Sequence, residues 1–116
     1  MIPPKELALA YLTHYRTKDE SLFWAWESVD AAVRQLSSGL PTCLELIEAS
    51  ESEAELAYIA AGPLEDLLNR LGEPAAAALE LPARRSEKVR KALEAVWLRP
   101  ESAAYATWHD LVDCNV

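Results

Sequence analysis

The 116-residue chain has three glycines, two cysteines and one phenylalanine, and no lysine or arginine at all from Gln35 to Asn69. Each scarcity excludes something. So few glycines, all at expected helix ends, leave none for a glycine-rich loop that cradles phosphate. Cys43 and Cys114 stand too far apart in sequence for a disulfide framework, a zinc ribbon or a C-x-x-C redox pair, so both read as free thiols, with Cys43 packed. No apolar run has bilayer-spanning length, and Met1-Ile2-Pro3-Pro4-Lys5 lacks the charged and apolar regions of a signal peptide. The expectation is a soluble cytoplasmic protein without membrane contact. Valine and isoleucine are sparse beside leucine and alanine, and no stretch alternates apolar with polar, which argues against sheet. With 11 basic against 19 acidic residues and a net charge of -8, clustered cations for phosphate binding are missing, and a nucleic-acid role is not expected.

What is present is apolar and helical. At 51% hydrophobic residues, including four Trp and four Tyr, the chain can build the core of a single domain, 1–116. Leu7, Ala8, Tyr11, Leu12 and Tyr15 recur at helical spacing after Pro3 and Pro4. Asp19 or Ser21 caps a second helix whose seam is Leu22, Trp26, Val29, Val33 and Leu36. Ser37-Ser38-Gly39 is expected to close that helix and Pro41 to begin the next. Ser52-Glu53-Ala54-Glu55 matches the capping box, in which serine and glutamate satisfy free end amides. Pro74 opens an alanine-rich helix expected to stop before Pro82. Ser86 caps another carrying Val89, Ala92, Leu93, Val96 and Trp97, and a last helix spans roughly 102–112. The fold class expected is all-α, about seven helices in stacked antiparallel hairpins, as a HEAT-like short solenoid or an irregular bundle.

The chain is organised around Ala60-Ala61-Gly62-Pro63-Leu64-Glu65-Asp66-Leu67-Leu68. Leu56, Ala60, Leu64, Leu67 and Leu71 form one apolar stripe through it. Pro63 inside a continuous helix forfeits an amide bond and crowds the carbonyl of Ile59, at about 3 kcal/mol. The expectation is therefore a bend: one helix stops, and Gly62 caps a second that begins at Pro63. Glu65 and Asp66 then lie at its positive end. The same four residues could instead present a helix N-terminus to a partner.

Two motifs carry a family resemblance, Ser21-Leu22-Phe23-Trp24-Ala25-Trp26-Glu27 and Leu56-Ala57-Tyr58-Ile59-Ala60-Ala61-Gly62-Pro63-Leu64-Glu65-Asp66-Leu67-Leu68. With Leu93-Glu94-Ala95-Val96-Trp97 downstream, the chain resembles an uncharacterised family of small bacterial all-helical proteins marked by a central A-G-P-L-E-D-L-L element. The resemblance covers about 7–97 and departs after Gly72, where Pro74-Ala75-Ala76-Ala77-Ala78 replaces a bulkier helix. It implies a bacterial cytoplasmic setting and an all-helical fold, and it brings no established activity to carry over. The positions it marks are Trp24, Trp26, Glu27, Gly62, Pro63, Glu65, Asp66 and Trp97.

Catalytic signatures are lacking. His109, Asp113 and Cys114 at one end make a poor metal set, and His14 has no second histidine near it. Neither Ser37 nor Ser38 sits in a nucleophile turn. Glu27 with Asp30, and Glu45 with Glu48, are carboxylate pairs; Glu27, after Trp24 and Trp26, is the one expected to be half buried. No metal or cofactor is expected. The acidic window of Glu45, Glu48, Glu51, Glu53, Glu55, Glu65 and Asp66, with a short basic counterpart at 84–91, leads to the expectation of a protein-binding or regulatory module for a basic partner, possible forms including an immunity or antidote protein. The binding residues expected are Trp24, Trp26, Glu27, Gly62, Pro63, Glu65 and Asp66. Two alternatives stay open: a small enzyme or ligand-binding protein with a pocket near Trp26, Glu27 and Glu65, and an obligate homodimer.

Overall fold

The computed structural model describes residues 2–113, and among these every regular element is helical. They are α1 (Pro4–Thr17), α2 (Phe23–Ala32), α3 (Leu36–Ala49), α4 (Glu53–Ile59), α5 (Glu65–Leu71), α6 (Glu73–Ala78), α7 (Glu80–Arg85), α8 (Glu87–Ala95) and α9 (Tyr105–Asp113). The all-α expectation holds, with the shortest pieces splitting what was counted as longer helices. In the middle lies α3, packed on α1, α2, α4, α5, α6 and α8. Its own Leu46 and Ile47 are buried in a single core with Ile59, Leu64, Leu67, Leu68 and Leu93. The far end closes over α8 and α6. There the Trp108 indole donates to the Leu93 carbonyl at 2.9 Å, and the Thr107 hydroxyl bonds the Glu73 carboxylate.

The centre of the chain corrects the expected break. The helix does not break between α4 and α5. The backbone stays helical through a π-helical turn, Ala60–Leu64, into α5, and the Glu65 amide bonds the Ala60 carbonyl five residues back. A turn widened by one residue gives the Pro63 ring room beside the preceding carbonyls, so the chain keeps a rod where a strict α-helix would have to break. Gly62 and Pro63 are therefore interior residues of a helix, not a cap and a first turn. The stripe survives as read, with Leu56, Ala60, Leu64 and Leu67 buried and Leu71 packed against the core.

Other prolines likewise lie inside helices where the sequence predicts boundaries. α2 ends at Ala32, and α3 begins at Leu36 with Ser37, Ser38 and Gly39 inside it and Pro41 in its second turn. Pro82 sits in the first turn of α7, where its missing amide would have found no partner. The serine caps of α4 and α8 fall where expected, whereas Asp19 caps the short 3-10 turn Glu20–Leu22 that leads into α2, and α2 itself has no side-chain cap. Asp19 accepts from Ser21 N at 3.0 Å, Ser52 Oγ from Glu55 N at 3.1 Å and Ser86 Oγ from Val89 N at 3.3 Å. The return half of the capping box reaches one residue further back, since Glu55 Oε1 accepts from Glu51 N.

Because Gly62 is helical and a Cβ there would meet the Tyr11 hydroxyl only at an ordinary 3.7 Å, Gly62→Ala should stabilise the chain by about 0.5–1 kcal/mol. Thermal melting checks this. A fall in Tm would mean that the π turn needs glycine.

Candidate functional site

The start of α2 carries a cluster of exposed aromatic side chains. Phe23, Trp24 and Trp26 are each between 39% and 46% exposed, and the Phe23 and Trp26 rings stack with centroids 5.5 Å apart. The His14 ring of α1 meets the edge of Phe23 at 5.9 Å. The seam drawn from the sequence put Trp26 in the core. Instead Ala25, Val29 and Val33 face inward, and Trp26 lies at the rim of the next feature.

That feature is a cleft of about 70 Å³ where α1, α2 and the π turn meet, lined by Tyr11, Trp26, Val29, Asp30, Val33, Gly62, Pro63 and Asp66. Trp26 and Asp30 are four apart on α2 and so share a face. Asp66 looks across from the first turn of α5. Burial raises the Asp66 pKa above the ordinary carboxylate value; Arg70 pulls it down and Asp30 pushes it up. Tyr11, buried at the base, has its hydroxyl raised well above a normal phenol by burial and by Tyr58. The Asp30 carboxylate also holds Arg34 at 3.1 Å, an exposed pair one turn along the helix.

Of the expected binding residues, the structure brings Trp26, Gly62, Pro63 and Asp66 together. Trp24 lies on the neighbouring aromatic surface, outside the cleft. Glu27 points to solvent, correcting its expected half burial, because it stands one residue beyond the buried side of α2. Glu65 turns toward another surface, where its carboxylate accepts weakly from Trp97 N at 3.4 Å. Trp97 itself, expected on the core face of α8, is 71% exposed because α8 ends at Ala95 and the chain beyond is extended. Asp30 was visible in sequence only as a partner of Glu27, and the structure pairs it with Asp66. Nothing local in the sequence marked Tyr11 as more than a core residue.

The acidic window does not form one face. Glu55 is buried and gripped by Arg16 through two bonds of 2.5 and 2.9 Å. Lys88 from the basic stretch caps α3, donating to the carbonyls of Glu48 and Ser50 at 2.9 and 3.0 Å. Part of the charge asymmetry is thus used inside the molecule.

A family model described as a family of unknown function, DUF6869, matches residues 13–114. The chain belongs to that family. The match takes in α2, the π turn and Asp66, so all of the cleft in this DUF6869 chain except Tyr11 lies within it. No curated protein and no solved structure matches the chain. Among the described residues of this DUF6869 chain, no group of three or more His, Cys, Asp or Glu could hold a metal ion, and no helix is long and apolar enough to cross a membrane. His109 and Asp113 approach at 3.6 Å, while Cys114 lies outside the described residues.

Proposed function

We propose that the chain is a protein-binding module of the bacterial cytoplasm that engages a basic partner through the outward side of α2. The observation that carries this is the exposed group of Phe23, Trp24 and Trp26 set directly beside the carboxylates of Asp30 and Asp66. Aromatic side chains are costly to leave in water and are enriched where interfaces concentrate their energy. Neighbouring carboxylates on a chain of net charge -8 select a partner of opposite sign and steer its approach. An enzyme with a pocket at Trp26, Glu27 and Glu65 has less support, since those two glutamates face away from a cleft too small to enclose most substrates.

The test replaces Phe23 and Trp24 by serine and compares cross-linked partners with those of the unaltered chain. Both side chains are only about half exposed and Phe23 stacks on Trp26, so the double variant should lose about 1–3 kcal/mol of stability, and recovery is compared at a temperature where both chains are folded. Recovery of a basic protein cross-linked to α2 should fall at least tenfold, the loss of about 1.4 kcal/mol of binding or more. Equal recovery from both chains would refute the proposal, and cross-links only to a second copy would replace it with the homodimer.

A further inference from the structure

We infer that the cleft between α2 and the π turn receives one cationic side chain, lysine or arginine, from the partner; this rests on reading the chain as a protein-binding module. The cleft supplies what such a guest requires. Val29 and Val33, fully buried, close its floor, and the half-exposed Trp26 indole at the rim offers apolar surface to the methylene stem and a π system to the charge. Asp30 of α2 and Asp66 of α5 line the same cleft and would supply carboxylate oxygens to the charge. The volume of about 70 Å³ admits the end of a side chain and little more.

Enclosure separates this place from a solvated acidic pair. Asp66 is partly withdrawn from water, and its charge is opposed by that burial and by Asp30. A cation arriving between the two carboxylates relieves both effects. Arg34 and Arg70 are the cations nearest to them, on Asp30 and Asp66 respectively, but neither lines the cleft. Arg34 has a largely exposed side chain and can yield its share of Asp30 to a guest. Pro63 and Gly62 shape the opposite wall, and Gly62 has no side chain to obstruct entry. The π turn thereby brings Asp66 and a bare stretch of backbone to face α2.

The experiment titrates the intact chain with N-acetyl-lysine methylamide, its arginine counterpart and the norleucine methylamide at constant ionic strength, following the Trp26 indole N–H and the Asp66 carboxyl carbon by NMR. Saturable shifts with the lysine or arginine amide but not with norleucine are expected. Asp66→Asn should weaken them at least tenfold. Gly62→Leu, which places bulk in the cleft without altering charge, should abolish them and keeps the test decisive if the asparagine variant fails to fold. Equal responses to lysine, arginine and norleucine, no saturable response to any of them, or an undiminished response in folded Asp66→Asn would overturn the inference. A chain that loses its partner through the Phe23 and Trp24 substitutions yet ignores the lysine and arginine amides keeps the protein-binding function and loses this site.

Discussion

Gly39→Ala is expected to lower Tm by on the order of 10 °C, although alanine favours a helix over glycine by about 1 kcal/mol. A Cβ at this position would lie 2.6 Å from Leu67 Cδ1, 2.9 Å from Val33 Cα and 3.1 Å from the Ala32 carbonyl oxygen. The leucine methyl could rotate only into a core that is already filled, and the other two atoms are backbone. α3 would have to lift away from the end of α2. That movement loosens the contacts of Leu67 and Val33, both fully buried, and stretches the 2.7 Å bond from the Ser38 hydroxyl to the Ala32 carbonyl. Overpacking costs about 1–3 kcal/mol, and a clash with two backbone atoms puts this site at the upper end, against the roughly 1 kcal/mol helical gain. Paired with Gly62→Ala, the variant gives two glycine replacements in helices with opposite expected signs. A Tm for Gly39→Ala equal to or above that of the unaltered chain would show that the α2–α3 junction tolerates a side chain.

The second large effect is expected at the ion pair of Arg16 and Glu55, which ties α1 to the start of α4. The guanidinium holds the Glu55 carboxyl down to about 2 from its usual 4.5, against the opposing effect of burial, and the Glu51 amide helps. Arg16→Ala leaves a buried carboxylate without its countercharge and should cost about 2–4 kcal/mol in denaturant unfolding. Glu55→Ala should cost a similar amount, and the double variant little more than either single one, because each already destroys the same interaction. The acid limb supplies an independent check. Since the folded value lies below the unfolded one, this stabilisation is complete above about pH 4.5 and is lost as pH falls toward about 2. Glu55→Gln should therefore flatten the stability profile across that interval. A profile as steep as that of the unaltered chain would mean that other carboxylates govern acid unfolding.

The helices and their caps were legible in the sequence because they depend on neighbours a few residues apart. Ser52 and Ser86 act where their spacing predicts. The stripe from Leu56 to Leu71 was legible for the same reason. The prolines were read as boundaries because their local cost is real, yet burial of a continuous flank outweighs it at Pro63 and Pro41. The sequence predicts a helix end at Gly39 because the constraint that requires glycine there, the approach of α2 and Leu67, comes from residues whose position only tertiary packing fixes. The cleft was half visible. Trp26, Gly62, Pro63 and Asp66 were singled out, whereas Tyr11 belongs to a different helix and Asp30 looked like one exposed acid among many. Trp97 was misplaced because helix length, rather than periodicity, decides its direction.

The widened turn at Ala60–Leu64 also has an azimuthal consequence. In an α-helix each residue advances by about 100°, so a step of four overshoots a full revolution by about 40°. Leu56, Ala60 and Leu64 are separated by two such steps, and on an ideal rod the second would leave Leu64 about 80° away from Leu56. A π turn of about 4.4 residues makes its step of four fall short by about 33°, which cancels most of the first overshoot. The irregularity therefore acts as a phase corrector, returning the leucines after Pro63 to the meridian set by those before it.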